Sequence, residues 1–292
     1  MIENLNEFKK DVERASELGK DITRKINLKN YNKIVFCGIG GSAVAGEVVR
    51  SLDLKIPVFI IREELPKFVD KKTLCFIISY SGNTAETIGL YKSAKKKGCG
   101  IIIVCSGGKL GKVNDDKVIV PCGYVPREAF VYLLFPVLNI LKIKYRVNNI
   151  IKNINEKEMS RSKKLAKELK GKIPIVYVDS EKLGFLGYRF QTFFNENCKI
   201  LSHSNYFPEL AHNEIEAETG KDFKFILLVD KKTRVVKKAN RFLKFFEIRI
   251  KGKSLIEKVV YALYFEYMTS YYLSKVLKVD YRVIKKIEGL KR

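Results

Sequence analysis

Hydrophobic positions along the 292-residue chain fall into two alternating rhythms. Leu5, Phe8, Val12, Ala15, Leu18, Ile22 and Ile26 recur at intervals of three or four, which predicts an amphipathic leading helix. Short apolar runs then predict strands at 33–37, 57–61, 74–79, 101–105 and 117–120, with helical patterns between them at about 42–52 and 84–97. Runs such as Phe76-Ile77-Ile78 and Ile101-Ile102-Ile103-Val104 are apolar at every position, as expected of parallel strands covered on both faces. A helix at about 126–141 closes this half, and a polar Asn- and Lys-rich stretch follows, the expected boundary region. The second half repeats the alternation, with strands near 174–179, 200–203, 223–229 and 244–250. Its helices are expected near 184–198, 231–242 and 254–277, the last opening on a capping-box pattern, Ser254 with Glu257. Strand–helix alternation of this kind predicts doubly wound parallel α/β sheets in two similar domains, 1–145 and 146–292.

Composition changes this picture little. The segment "AFVYLLFPVLNIL" (129–141) is the most apolar, too short to span a bilayer, and carries Pro136 and Asn139. The charged start "MIENLNEFKKDVERASEL" lacks the apolar stretch of a signal peptide, so a cytoplasmic protein without membrane attachment is expected. None of the six cysteines falls in a C-x-x-C pair, which predicts reduced, mostly core thiols and no metal site. The net charge of +24 raises the question of nucleic acid. The excess is dispersed, however: 24 Lys/Arg stand against 15 Asp/Glu in the first 145 residues and 32 against 17 in the rest. The expectation is a lysine-rich solvated surface that steers an anionic metabolite, with no nucleic-acid partner.

Two stretches carry candidate chemistry. In "FCGIGGSAVAGEVV" (36–49), Gly40 and Gly41 let backbone N–H groups approach a ligand and Ser42 offers a hydroxyl. In "ISYSGNTAET" (78–87), Ser79, Ser81, Thr84 and Thr87 gather around Gly82. Each follows a strand and precedes a helix, so both loops face one crevice at the carboxyl edge of a parallel sheet. The spacing Gly38-x-Gly40-x-x-Ala43 also fits a loose dinucleotide fingerprint, and Glu63 and Glu64 follow the second strand. A cluster of hydroxyls fits a single phosphomonoester better, because three terminal oxygens accept several short hydrogen bonds.

These two loops resemble the paired phosphate-binding loops of sugar isomerase (SIS) domains. "NENCK" (195–199), "FPELAHNEIEA" (207–217), "GYVPREA" (123–129) and the closing "LKVDYRVIKKIEGLKR" resemble segments of the bifunctional phosphoglucose/phosphomannose isomerases. The resemblance implies two SIS-type, flavodoxin-like domains, the first with the phosphate loops and the second with the catalytic Glu and His. It implies a cofactor-free isomerase acting on a sugar phosphate, and a homodimer with its site near the subunit interface. By the same resemblance Gly40, Gly41, Ser42, Ser79, Ser81 and Thr84 bind the phosphate, and Glu196 shuttles a proton. Arg127 stabilises the enediolate, and His212 and Lys291 open the ring. Glu196 ends an apolar-patterned helix, where partial burial would raise its pKa toward a useful range. His203, the other histidine, has no counterpart in these motifs and reads as structural or surface. The proline that usually follows the "VD" pair is replaced by Tyr281. Three rivals remain at this point: a sugar-phosphate-binding regulator on the same fold, a nucleic-acid-binding protein, and a dinucleotide-dependent oxidoreductase.

Overall fold

The computed structural model describes residues 4–217 and 220–290. The chain divides into two compact units, Met1–Val147 and Asn148–Arg292, each built around one parallel sheet.

In the first unit the strands are β1 (Lys33–Cys37), β2 (Val58–Ile61), β3 (Thr73–Ile78), β4 (Gly100–Cys105) and β5 (Asp116–Ile119). They lie in the order β2-β1-β3-β4-β5, every pair parallel. The helices are α1 (Leu5–Glu17), α2 (Lys20–Thr23), α3 (Val44–Arg50), α4 (Ala85–Lys96), α5 (Gly108–Gly111) and α6 (Phe130–Ile140). One core cluster joins Val35, Cys37, Cys75, Ile77, Ile101 and Ile103 of the sheet to Leu90 and Ala94 of α4. α6 is predominantly apolar and buried from Phe130 to Leu138, which suits a helix with no solvent face over that stretch.

The leading helix is shorter than its periodicity predicts. α1 ends at Glu17, and Gly19 adopts φ +79° before α2 begins. At Gly19 the chain crosses α6 so closely that a Cβ would sit 3.0 Å from the Pro136 carbonyl oxygen. Asn139 of α6 seals the break, its amide donating to the carbonyls of Ser16 and Leu18, both at 2.8 Å. Loss of helical hydrogen bonds is thus made good by a side chain from the helix being crossed. Asp11 fixes α1 further, its Oδ1 accepting from Tyr124 and Tyr132 hydroxyls at 2.7 Å each.

α7 (Val147–Asn153) begins at the division, and the second unit continues with α8 (Glu156–Glu168), β6 (Ile173–Val178), α9 (Gly184–Phe193) and β7 (His203–Tyr206). It closes with β8 (Phe223–Val229), α10 (Arg234–Ala239), β9 (Phe246–Arg249), α11 (Leu255–Val276) and α12 (Lys285–Gly289). The sheet order is β7-β6-β8-β9, again parallel throughout. Val178 of β6 meets Gly187 of α9, and Ser204 of β7 donates to Gln191 of α9 at 2.6 Å, so these alternate residues face α9. Ile175, Tyr177, Phe225 and Leu227 face the other way, against Leu210, Ile215 and Val236.

Two elements differ from the sequence pattern. The polar stretch read as a boundary contains α7 and α8, and α8 packs along α11 through Ser162 and the buried Glu158. Glu158 accepts from Tyr261, Lys251 and Arg161. Burial pushes its carboxyl up, but these donors prevail and hold it below the usual carboxylate range. β7 begins at His203 rather than at the apolar Ile200, and Leu201 is left 83% exposed. This edge strand is held by bonds from its polar side chains, which hydrophobic pattern cannot register.

Within α11, Glu266 is fully buried and, among the described residues, neither carboxyl oxygen has a hydrogen-bond partner. Burial pushes its pKa well above 4.5, against the opposing charge of Arg189. The unfolded chain releases this proton near the ordinary value, whereas the folded chain retains it, so wild-type stability falls as pH rises above about 4.5. Glu266→Met is therefore expected to raise stability by roughly 1–3 kcal/mol at pH 8. The gain should shrink toward pH 4, and thermal unfolding of both proteins across that range checks it; a constant difference would contradict the buried neutral carboxyl.

Candidate active-site residues

A sheet ordered β2-β1-β3-β4-β5 grows in opposite directions from β1 and from β3, and a crevice opens where their carboxyl ends lie side by side. Both hydroxyl-bearing loops arise there. After β1, residues Gly40–Ala43 form a 3-10 turn leading into α3, with Ser42 partly exposed. After β3, Ser79 is buried, Ser81 is exposed, and Thr84 is the N-cap of α4. The Thr84 hydroxyl does not cap its helix; it shares a hydrogen bond of 2.9 Å with the Ser79 hydroxyl. The first amides of α4 therefore keep no side-chain cap, a disposition that favours an anion.

This second loop is wedged in place. Gly82 has φ +65°, and a Cβ on it would lie 1.9 Å from the Gly107 carbonyl oxygen. Ser106 donates to the Tyr80 carbonyl from both its amide and its hydroxyl, at 2.7 Å each. The Asn83 side chain accepts from the Lys109 amide at 2.9 Å. Tyr80 carries a link that its position between two serines conceals. Its hydroxyl donates to the Pro121 carbonyl (3.0 Å) and accepts from the Tyr124 amide (2.9 Å). The segment leading to Arg127 is thereby fastened to the serine loop. Arg127 itself lies in the turn before α6, not on the helix, and is 3% exposed beside the equally buried Glu128.

In the second unit, Glu196 lies in a π-helical turn, Phe194–Cys198, that continues α9. Such turns insert a residue into a helix and re-aim the side chains around it. Asn197 is completely buried and donates to the Ser270 hydroxyl at 2.8 Å, and the Cys198 thiol donates to the Ser270 carbonyl at 3.1 Å. With these neighbours anchored inward on α11, Glu196 is half-buried.

His212 is exposed and ends the 3-10 turn Glu209–His212 beyond β7. Its loop is moored by Glu214, which accepts from Tyr177 (2.8 Å) and Asn205 (2.5 Å) and bonds the His203 ring at 3.0 Å. Burial raises the Glu214 pKa, but the three partners outweigh it and the carboxyl stays below its ordinary range. His203 therefore has a structural contact. Glu196 and His212 are not brought together within one chain. α9 and its π turn lie on one face of the second sheet, whereas the loop bearing His212 packs with Leu210 and Ile215 on the other.

The second sheet has the same reversal, between β6 and β8, but a carboxylate fills it. Asp179 is 4% exposed, and its Oδ2 accepts from the amides of Asp230 (2.7 Å) and Lys231 (2.6 Å). Burial raises its pKa. Lys291 lies outside the described residues. Four of the six cysteines are buried and Cys122 is exposed. Among the described residues no group of three His, Cys, Asp or Glu side chains is arranged to hold a metal ion, and no helix is long and apolar enough to cross a membrane.

Residues 158–292 match the family described as bacterial phospho-glucose isomerase C-terminal SIS domain. The bifunctional phosphoglucose/phosphomannose isomerase of Thermoplasma volcanium is 33% identical over 286 residues, covering 92% of this chain and 93% of that one. The D-glucosamine-6-phosphate 4-epimerase of Sulfolobus acidocaldarius is 36% identical over 218 residues, 70% of each chain. Among solved structures, glucosamine-6-phosphate deaminase from Thermotoga maritima shares the fold, with a TM-score of 0.69 at 15% identity over 94% of this chain and 95% of that one. With alignment to the Thermoplasma enzyme along nearly the whole of both sequences, the chain belongs to the family of bifunctional phosphoglucose/phosphomannose isomerases.

Proposed function

We propose that the protein interconverts fructose 6-phosphate with glucose 6-phosphate and mannose 6-phosphate. The observation that carries this reading is the pair of hydroxyl-bearing loops meeting at the β1–β3 reversal, in a chain whose relatives are named for these two isomerisations. The amides of Gly40 and Gly41 and the hydroxyls of Ser42, Ser79, Ser81 and Thr84 hold the phosphate. His212 and Lys291 open the ring by moving a proton from the anomeric hydroxyl to the ring oxygen. The Glu196 carboxylate then takes the C2 proton of the open aldose as C1 and C2 become doubly bonded. Returning that proton to C1, while the O2 hydroxyl proton passes to O1 and O2 becomes the carbonyl, gives the ketose. Arg127 stabilises the negative charge on the enediolate oxygens. Protons move and no electrons leave the substrate, so these steps call for no redox cofactor, and the Arg127 guanidinium supplies the charge stabilisation that a metal would otherwise give. Abstraction from either C2 configuration would serve both epimers.

The opposite-face placement of Glu196 and His212 supports a homodimer in which His212 completes the partner's site. A second reading, epimerisation of D-glucosamine 6-phosphate at C4, is favoured by the identity to the Sulfolobus epimerase. An assay that offers fructose 6-phosphate and D-glucosamine 6-phosphate separately, with all products resolved, distinguishes the two. Turnover of the amino sugar alone would displace the first reading.

On fructose 6-phosphate, Glu196→Gln is expected to lower kcat by about 10²–10⁴-fold with the protein still folded; full turnover by this variant would remove Glu196 as the base. Ser79→Ala is expected to raise KM about tenfold or more, the cost of one hydrogen bond to a charged oxygen. Mixing Glu196→Gln with His212→Ala protein under subunit exchange should restore turnover, because each heterodimer then holds one intact site. Absence of recovery after exchange is verified would place His212 in its own chain's site.

A further inference from the structure

The π turn ends at Lys199, whose backbone is left-handed at φ +60°. A residue with a side chain adopts this region sparingly, and here the conformation turns the chain away from α9. The Lys199 ammonium donates back to the Glu196 carbonyl at 2.5 Å and to the Val283 carbonyl at 2.6 Å. The first contact is an ordinary closure of a helix carboxyl end by a cation. The second reaches a segment 84 residues later in sequence.

That later segment is held at its other end by aromatic packing. Beyond α11 the chain turns at Lys278, and Tyr281 becomes 5% exposed, its ring set edge-on to Tyr271 at 5.2 Å. The Lys275 ammonium lies 5.1 Å from the Tyr271 ring and 5.5 Å from the Tyr281 ring. The Arg282 guanidinium stands over the Tyr281 ring at 5.3 Å and donates from Nε to the Tyr281 hydroxyl at 2.9 Å. Two residues on from Tyr281 comes the carbonyl that Lys199 grips, and α12 follows at Lys285.

We propose that Lys199 is a positioning residue whose ammonium ties the turn bearing Glu196 to the carboxyl-terminal segment and fixes the spacing between them. The inference rests on the reading of Glu196 as the base. Asn197 and Cys198 anchor the turn on α11 independently, so losing the ammonium leaves the unit folded but lets the segment drift. A shift of about 1 Å in catalytic geometry can cost on the order of 10²-fold in rate.

The experiment compares Lys199→Met, Lys199→Arg and Glu196→Gln with the wild type. It measures kcat and KM for fructose 6-phosphate, the melting temperature, and amide hydrogen exchange of residues 281–290. Lys199→Met is expected to lose about 10–100-fold in kcat with KM within about threefold, to melt within a few degrees of wild type, and to exchange faster over 281–290. Lys199→Arg, which keeps donors on a long cationic side chain, should recover most of the rate. Wild-type kcat in Lys199→Met, or a loss that Lys199→Arg does not relieve, overturns the positioning role, as does unchanged exchange over 281–290. If Glu196→Gln is inactive while Lys199→Met is unaffected, this inference alone fails. If Glu196→Gln turns over normally, the base assignment falls and takes the inference with it.

Discussion

Parallel strands must be joined by crossovers, and right-handed crossovers that change direction once leave two neighbouring strands whose following segments diverge to opposite faces. In the first unit those strands are β1 and β3, and the gap between their ends cannot be covered by either crossover. The placement of both serine loops follows from that gap. The second unit repeats the topology with a different outcome. Asp179 puts a buried carboxyl into the equivalent gap and uses up two backbone amides there. One fold, used twice, thus yields an opening lined with hydroxyls in the first unit and a gap filled from within in the second.

The second unit shows how differently two buried glutamates behave around one helix, α11. Glu158, on α8, meets three donors that hold its carboxyl below the usual carboxylate range, so it remains ionised at neutral pH. Glu266, on α11, meets no donor among the described residues and is driven toward its neutral form. Burial alone does not set the charge of a carboxyl; the hydrogen bonds supplied to the ionised form do.

Legibility in the sequence divides along the same physical line. β1, β3 and β4 are plain because both faces are covered and, after the opening Lys33, Thr73 and Gly100, every residue is apolar. The serine loops are plain because glycine and hydroxyl residues directly follow those runs. α8 escapes notice because Glu158 and Ser162 occupy its buried stripe, and their partners on α11 are more than a hundred residues away. β7 escapes for a related reason: His203, Ser204 and Asn205 satisfy themselves through Glu214 and Gln191 rather than through hydrophobic contact. Glu196 and His212 stand out through their motifs, but nothing local reveals that they fall on opposite faces of a sheet. Tyr80, Glu214 and Lys199 leave no local signal, since each acts through contacts that exist only after the chain has folded.

The wedge at Gly82 has a consequence for the energetics of ligand capture. The loop around it has surrendered its conformational freedom to the contacts of Gly107, Ser106 and Lys109 before any ligand arrives. If the proposed phosphate binds there, it meets hydroxyls and amides already oriented, so little ordering entropy opposes its binding. On that proposal, what remains to resist binding is the removal of water from the incoming charge rather than the folding of the loop.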